Sequence, residues 1–213
     1  MSAQKESIST SMELKAGEPV WELARMYPPQ GSWSEDAYLA LDAGRLIEYN
    51  DGFLEVLPMP TLAHQRIVLY LLSLFMVYLK TSAVGGEVLV APLPVKLADR
   101  QFREPDIVYL SAERLDRTEG DYPEGGDLVV EVVSGNRADR ARDLVEKRHD
   151  YAVAGIPEYW IVDPQDEVII VLSLERDEYT EHGRFSTGDL ATSALLPGFS
   201  VPVAEVWAAA QLH

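Results

Sequence analysis

Two kinds of apolar spacing organise this chain. Between Thr61 and Lys80, the residues Ile67, Val68, Leu71, Leu72, Phe75 and Leu79 recur at helical intervals, which predicts one long buried helix closed off by Gly85-Gly86. Short apolar runs bounded by turn residues predict strands over Glu87 to Val90, Leu93 to Leu97, Asp106 to Leu110, Leu128 to Val133, Glu158 to Val162, Glu167 to Leu174 and Glu178 to Phe185. Asn50-Asp51-Gly52, set between Arg45 to Tyr49 and Phe53 to Leu57, is a strong hairpin signal. Ser32 and Ser34 precede a short apolar series, Ala37 to Leu41, and predict a capped helix ending at Gly44. A second long helix is predicted from Arg137 to Ala154, with Asn136 as its cap and Gly155 as its stop.

The polar, Gly- and Pro-rich stretch from Asp116 to Asp127 reads as a loop, and Leu196-Pro197-Gly198-Phe199 leads into a short terminal helix. Leu128 to Val162 thus has the order and size of a βαβ unit. The whole pattern predicts an α/β layered domain with a mixed central β-sheet flanked by helices. Residues 1–32, broken by Pro28-Pro29-Gln30-Gly31, read as an N-terminal arm, and residues 33–213 as one domain.

Composition narrows this picture. The 213 residues are 47% hydrophobic, enough for a substantial core. No run of about 20 apolar residues occurs, so a membrane-spanning helix is not expected. The polar start, Met1 to Ser11, lacks an apolar signal core, and a cytoplasmic location is expected. The absence of cysteine excludes disulfides, thiolate metal sites and cysteine nucleophiles. A net charge of −17 argues against a surface that holds nucleic acid by phosphate contacts. Locally the balance differs, because Arg137, Arg140, Arg142, Lys147 and Arg148 cluster after the Leu128 strand and are candidate nucleic-acid contacts. Asp139, Asp143 and Glu146 lie among them, so a solvated, ion-paired helix face is the competing reading.

Candidate chemistry centres on Glu131, the lone acid inside Leu128-Val129-Val130-Glu131-Val132-Val133. A charged carboxylate on a buried strand costs several kcal/mol unless it is compensated by a cation or a proton. Upstream, Asp106 stands at the mouth of another apolar strand. Two acids on neighbouring strands are a way to hold a hard divalent metal ion, which can activate water for attack on a phosphate. Lys147 is the candidate third element. With Leu144 and Tyr151 it shares the apolar side of its helix, and its stem could reach back to Glu131. A buried structural ion pair between Glu131 and Lys147 is the plain alternative.

The order of these segments carries a resemblance. Pro105-Asp106 before a strand, Glu131 within a strand, then a helix and Glu158-Tyr159-Trp160-Ile161-Val162, resembles the PD-(D/E)xK nuclease superfamily. More narrowly, Glu48-Tyr49-Asn50-Asp51-Gly52, Leu57-Pro58-Met59-Pro60, His64-Gln65, Tyr151 to Pro157 and Leu196-Pro197-Gly198-Phe199 are similar to the restriction-endonuclease-like family called Uma-two. The match runs from about Trp33 to Trp207. It implies a restriction-endonuclease-like core, a magnesium- or manganese-dependent phosphodiesterase site acting on DNA, and a homodimer. Asp106 and Glu131 would take the metal-ligand positions, with the carbonyl of Val132 as a further ligand. The superfamily lysine two residues after Glu131 is replaced by Val133, and the resemblance transfers its role to Lys147.

Other residues have competing readings. Glu48 is an additional metal ligand or a solvated hairpin acid; His64 is a catalytic residue or a hydrogen-bonded core histidine. Asp163 reads most simply as a turn former, and Tyr159 and Trp160 as core aromatics rather than base-stacking platforms. Three functions therefore stand: a metal-dependent endonuclease, an inert binding or assembly protein on the nuclease fold, and a hydrolase of small phosphodiesters.

Overall fold

The computed structural model describes residues 27–41, 46–118, 120–133, 140 and 142–211, with the side chains of Arg142 and Asp143 excluded. The early helix, α1, spans Glu35–Leu39 and is capped by Ser34, whose side chain accepts the Ala37 N–H. It stops before Gly44, the expected end, which lies outside the described residues. Strands β1 (Ile47–Asn50) and β2 (Phe53–Val56) form the expected hairpin, and Asn50 pairs with Phe53 across its turn. Asp51 and Gly52 both have positive φ, 43° and 89°, the type I′ signature. A Cβ at Gly52 would also lie 2.7 Å from the Gly31 carbonyl oxygen, so the turn needs glycine for space as well as conformation.

Helix α2, Leu62–Thr81, is capped by Thr61, whose side chain accepts the His64 N–H. Only one face is buried, through Ile67, Val68, Leu71 and Phe75, whereas Leu62, Leu69, Met76 and Val77 are exposed. The expected long buried helix is present, and its burial is confined to the face that carries Ile67, Val68, Leu71 and Phe75. By length and composition alone α2 is long and apolar enough to cross a membrane, although His64, Gln65, Arg66 and Lys80 interrupt its apolar residues. Here its buried stripe rests on protein.

Strands β3 (Glu87–Val90), β4 (Val95–Ala98), β5 (Gln101–Arg103) and β6 (Ile107–Leu110) follow, then a one-turn helix α3 (Ala112–Leu115). The sequence pattern did not reveal β5, which is three residues long and is reached by a turn in which Arg100, not glycine, takes positive φ. Strand β7 (Leu128–Val132) precedes a π-helical turn, Arg142–Glu146, that runs into α4 (Lys147–Val153). Among the described residues of the predicted helix, Arg140 is α-helical, Arg142–Glu146 is π-helical and Lys147–Val153 is α-helical, while Asn136 and Arg137 lie outside them. The chain continues through β8 (Glu158–Asp163), β9 (Val168–Glu175), β10 (Glu178–Ser186), β11 (Leu190–Thr192), β12 (Ser200–Pro202) and α5 (Val203–Ala210).

The main sheet has six strands in the order β10-β9-β8-β7-β6-β3. It is mixed, because β7 and β8 are parallel while their outer neighbours are antiparallel. The β7-α4-β8 segment is the predicted βαβ unit. Period-two alternation sorts the central strands between two cores. Leu128, Val130 and Val132 share one core with α2 and α5; Val129 and Val133 join Tyr151, Tyr159 and Ile161 on the α4 side. Glu131 belongs to that second face by register.

A smaller sheet, β2-β1-β5-β4, has its own aromatic core of Trp33, Tyr38, Tyr49 and Phe102. Its strand β5 runs directly into Glu104-Pro105-Asp106 and β6, so the two sheets are joined at the point where the candidate acids begin.

Candidate active site

Proline before Asp106 removes a backbone donor and favours an extended turn into β6. Asp106 Oδ2 accepts the Val132 N–H at 2.7 Å and lies 3.2 Å from His64 Nε2. The first bond ties the start of β6 to the residue after Glu131; the second brings the first turn of α2 to the same carboxylate. His64 and Asp106 are therefore neighbours in space, 42 residues apart in sequence.

Glu131 is 4% exposed. Its Oε1 accepts the Tyr151 hydroxyl at 2.6 Å and lies 2.8 Å from Lys147 Nζ. Tyr151 stands one turn after Lys147, so a single face of α4 delivers both partners to the strand acid. The cation that the buried strand demanded is thus supplied by the residue its helical spacing indicated.

Lys147 has a second carboxylate. Its ammonium lies 3.2 Å from Glu48 Oε1, and Glu48 is itself only 1% exposed. The reading of Glu48 as a solvated hairpin acid gives way to a buried one facing the site. Arg103 holds the other oxygen, with Nη1 2.5 Å from Glu48 Oε2, and gives Nε and Nη2 to Asp150 Oδ2 at 3.1 and 2.5 Å. Burial pushes the Glu48 carboxyl up, but the charges of Lys147 and Arg103 more than reverse this and hold it below the ordinary glutamate value. Burial would lower Arg103, yet Glu48 and Asp150 raise it further. Tyr151 is driven well above its usual range by burial and by the charges of Glu131 and Glu48, so its hydroxyl remains a donor.

Glu104 completes the acidic wall. Burial, aided by the charge of Glu48, lifts its carboxyl to about 7, against the opposing pull of the Ile47 N–H and Lys147. Its Oε2 is buried with no hydrogen-bond partner among the described residues. Glu104, Asp106, Glu131, Val132, Lys147 and His64 line one cleft of about 40 Å³, whose remaining walls are Leu46, Leu57, Pro58 and Pro60. That exceeds the roughly 10–15 Å³ needed by one water.

The donor set suits a hard divalent cation. Lys147 meets Glu48 and Glu131, and Arg103 meets Glu48, Asp150 and, at 3.7 Å, Glu55, while Asp106 and Glu104 line the cleft beside Lys147, so carboxylates outnumber the two fixed cations. Among the described residues, no three His, Asp or Glu side chains form a ready cage. Magnesium is commonly held by one or two carboxylates, with water and substrate oxygen completing its shell.

The remaining candidates lie elsewhere. Arg140 pairs with Asp163 and Asp166, each at 2.5 Å, so its guanidinium is engaged with the turn after β8. Arg137 and the side chain of Arg142 lie outside the described residues. Asp163 Oδ1 accepts the Gln165 and Asp166 N–H groups as a turn former does. Tyr159 and Trp160 are fully buried, on opposite faces of the main sheet. Arg103, Glu104, Asp150 and Tyr151 were not assigned to the site from sequence. Their signal was the charged cluster Arg103-Glu104-Pro105-Asp106 and the i, i+3, i+4 relation of Asp150 and Tyr151 to Lys147.

The architecture has a solved counterpart. A crystal structure titled as a putative nuclease belonging to DUF820, from Anabaena variabilis, superimposes with a TM-score of 0.65 at 17% identity, covering 82% of this chain and 97% of that one. No curated protein matches the chain. The family model described as Uma2, putative restriction endonuclease, aligns with residues 35–204, a span that contains every side chain of the cleft, and the chain belongs to that family.

Proposed function

We propose that this protein is a divalent-metal-dependent endonuclease that hydrolyses DNA phosphodiester bonds with water as the nucleophile. The observation that carries the reading is the meeting of β6, β7 and α4: Asp106 bonds the N–H of Val132, next to Glu131, and Glu131 lies 2.8 Å from Lys147. Asp106 and Glu131, with the Val132 carbonyl, would hold magnesium or manganese. When bound, such an ion supplies Lewis acidity toward a phosphate oxygen and makes a water acidic enough to attack. The chain's own groups do the rest. His64 orients Asp106, Tyr151 orients Glu131, and Lys147 adds a fixed positive charge toward charge developing on the phosphate. A cytoplasmic location, expected from the polar start of the chain, and pairing of two copies, implied by the resemblance, belong to the same proposal.

Purified protein should cleave plasmid or branched DNA with magnesium or manganese. Glu131→Ala should lose at least roughly a hundredfold in rate, the scale for removing one transition-state contact, and the metal-dependent rise in melting temperature. Equal inactivity of both proteins across metals and substrates would overturn the reading.

The engagement of Lys147 by both Glu48 and Glu131 favours a second reading, an inert nuclease-fold binding or assembly protein. No cleavage and no melting shift with either metal would select it. The net charge of −17 and the small cleft suit hydrolysis of smaller phosphodiesters, which chromogenic substrates assayed beside DNA would separate.

A further inference from the structure

Lys147 is the first residue of α4, and local structure gives it little support. Glu146 before it is itself helical, φ −71° and ψ −53°, so α4 continues the five-residue π-helical turn Arg142–Glu146 by seven residues, an irregular run of twelve described residues. A helix this short is not stable by its own hydrogen bonds, so the place of the Lys147 ammonium must be set by tertiary contacts. One such contact lies a turn further on. Asp150 accepts both Nε and Nη2 of Arg103 on Oδ2, and the opposite edge of the same guanidinium meets Glu48 Oε2. The other oxygen of Glu48 meets Lys147. A closed ring results: Lys147 to Glu48, Glu48 to Arg103, Arg103 to Asp150, and Asp150 back to Lys147 through one turn of helix.

We propose that Arg103 is a positioning residue, whose guanidinium clamps the small sheet to α4 through Glu48 and Asp150 and thereby fixes the Lys147 ammonium between Glu48 and Glu131. Only arginine has the shape for this. Its planar fork serves two carboxylates on different edges, whereas a lysine is a single point charge. Arg103 is 5% exposed and joins three elements, β1, β5 and α4, so the second sheet becomes a working part of the site. Its effect on cleavage rests on the nuclease reading above; its effect on Lys147 does not.

The test therefore reads Lys147 directly. In full-length protein labelled with 15N-lysine, an ammonium buried between two carboxylates exchanges its protons slowly enough to give an NMR signal, assigned by its loss in Lys147→Arg. Arg103→Lys and the isosteric Asp150→Asn, each verified as folded by near-ultraviolet circular dichroism, should shift or abolish that signal. The exposed-site variant Arg117→Gln should leave it in place. In the same Arg103 and Asp150 variants kcat for DNA cleavage should fall by roughly ten- to a hundredfold with KM unchanged, as expected for misplacement of a reacting group. An unchanged Lys147 signal in both folded variants would overturn the proposal, as would its absence from the wild type. A wild type that shows the signal but never cleaves would sink the nuclease reading and leave the clamp standing.

Discussion

Two buried glutamates on adjacent strands of the main sheet have opposite surroundings. Glu158, at the start of β8, is fully buried and accepts four uncharged donors: Trp160 Nε1 at 2.5 Å, and Ser193 Oγ, Ala194 N and Leu195 N, each at 2.7 Å. These donors fill its lone pairs and pin the segment before β12 to the sheet. Glu131, on β7, is held by an ammonium and a phenol and opens onto a cleft that it shares with Asp106 and Glu104. Burial alone does not mark a functional acid. The difference is that Glu158 is saturated by a fixed shell of backbone and side-chain dipoles, whereas Glu131 stands in a cluster of charges with negative charge in excess.

The comparison is most sharply broken at Glu158. Glu158→Ala removes the acceptor of the buried Trp160 Nε1–H and of three part-buried donors, of which the Leu195 N–H keeps Ser193 Oγ at 3.2 Å, and should cost about 3 kcal/mol of unfolding free energy, a fall in melting temperature of roughly 6–12 °C for a chain of this size. The rise in melting temperature with added metal should survive in this variant, the reverse of the pattern expected for Glu131→Ala. A Glu158 variant that lost the metal response while keeping its stability would erase the distinction between the two acids.

A smaller effect is expected at Glu104. Its carboxyl titrates near 7 in the folded protein against 4.5 as its ordinary value, so the folded state holds more protons between those limits. The stability it contributes is fully present below 4.5 and is lost as pH rises through about 7. Glu104→Gln does not titrate. Its stability relative to wild type should therefore improve between pH 5 and pH 8, by about 1–2 kcal/mol after discounting for partial exposure. Urea unfolding in chelator at the two pH values measures this. A constant difference would mean that the acidic wall of the cleft is not strained by its own charge.

The smallest effect belongs to an exposed pair. Arg117 and Glu113 lie 2.6 Å apart, each about three-quarters exposed. Arg117→Gln should change stability by no more than about 0.5 kcal/mol, because water and salt screen such contacts. Its short distance resembles that of Lys147 and Glu131, so the pair tests whether burial, rather than separation, decides what an ion pair contributes.

Much of this architecture was legible in one dimension. The 3.6-residue spacing of Ile67, Val68, Leu71 and Phe75 located α2, the Asp51-Gly52 turn located the first hairpin, and Glu131 within an apolar strand announced a buried charge in need of a partner. Lys147 was found because one helical face carried it together with Leu144 and Tyr151. These are local signals, set by steric and hydrophobic periodicities that a short segment contains by itself. The burial of Glu48, the bridge by Arg103 and the pairing of Asp106 with His64 are of another kind. Each joins residues 42 or more positions apart, and β5, which carries Arg103, is too short to leave a periodic trace. Sequence determined which strands would be buried and that one of them held an unpaid charge. Only the tertiary structure decided that Glu48 and Arg103 of the small sheet would join Lys147 and Asp150 of α4 in one ion-pair network, because ion pairing depends on separation in space, to which spacing along the chain is blind.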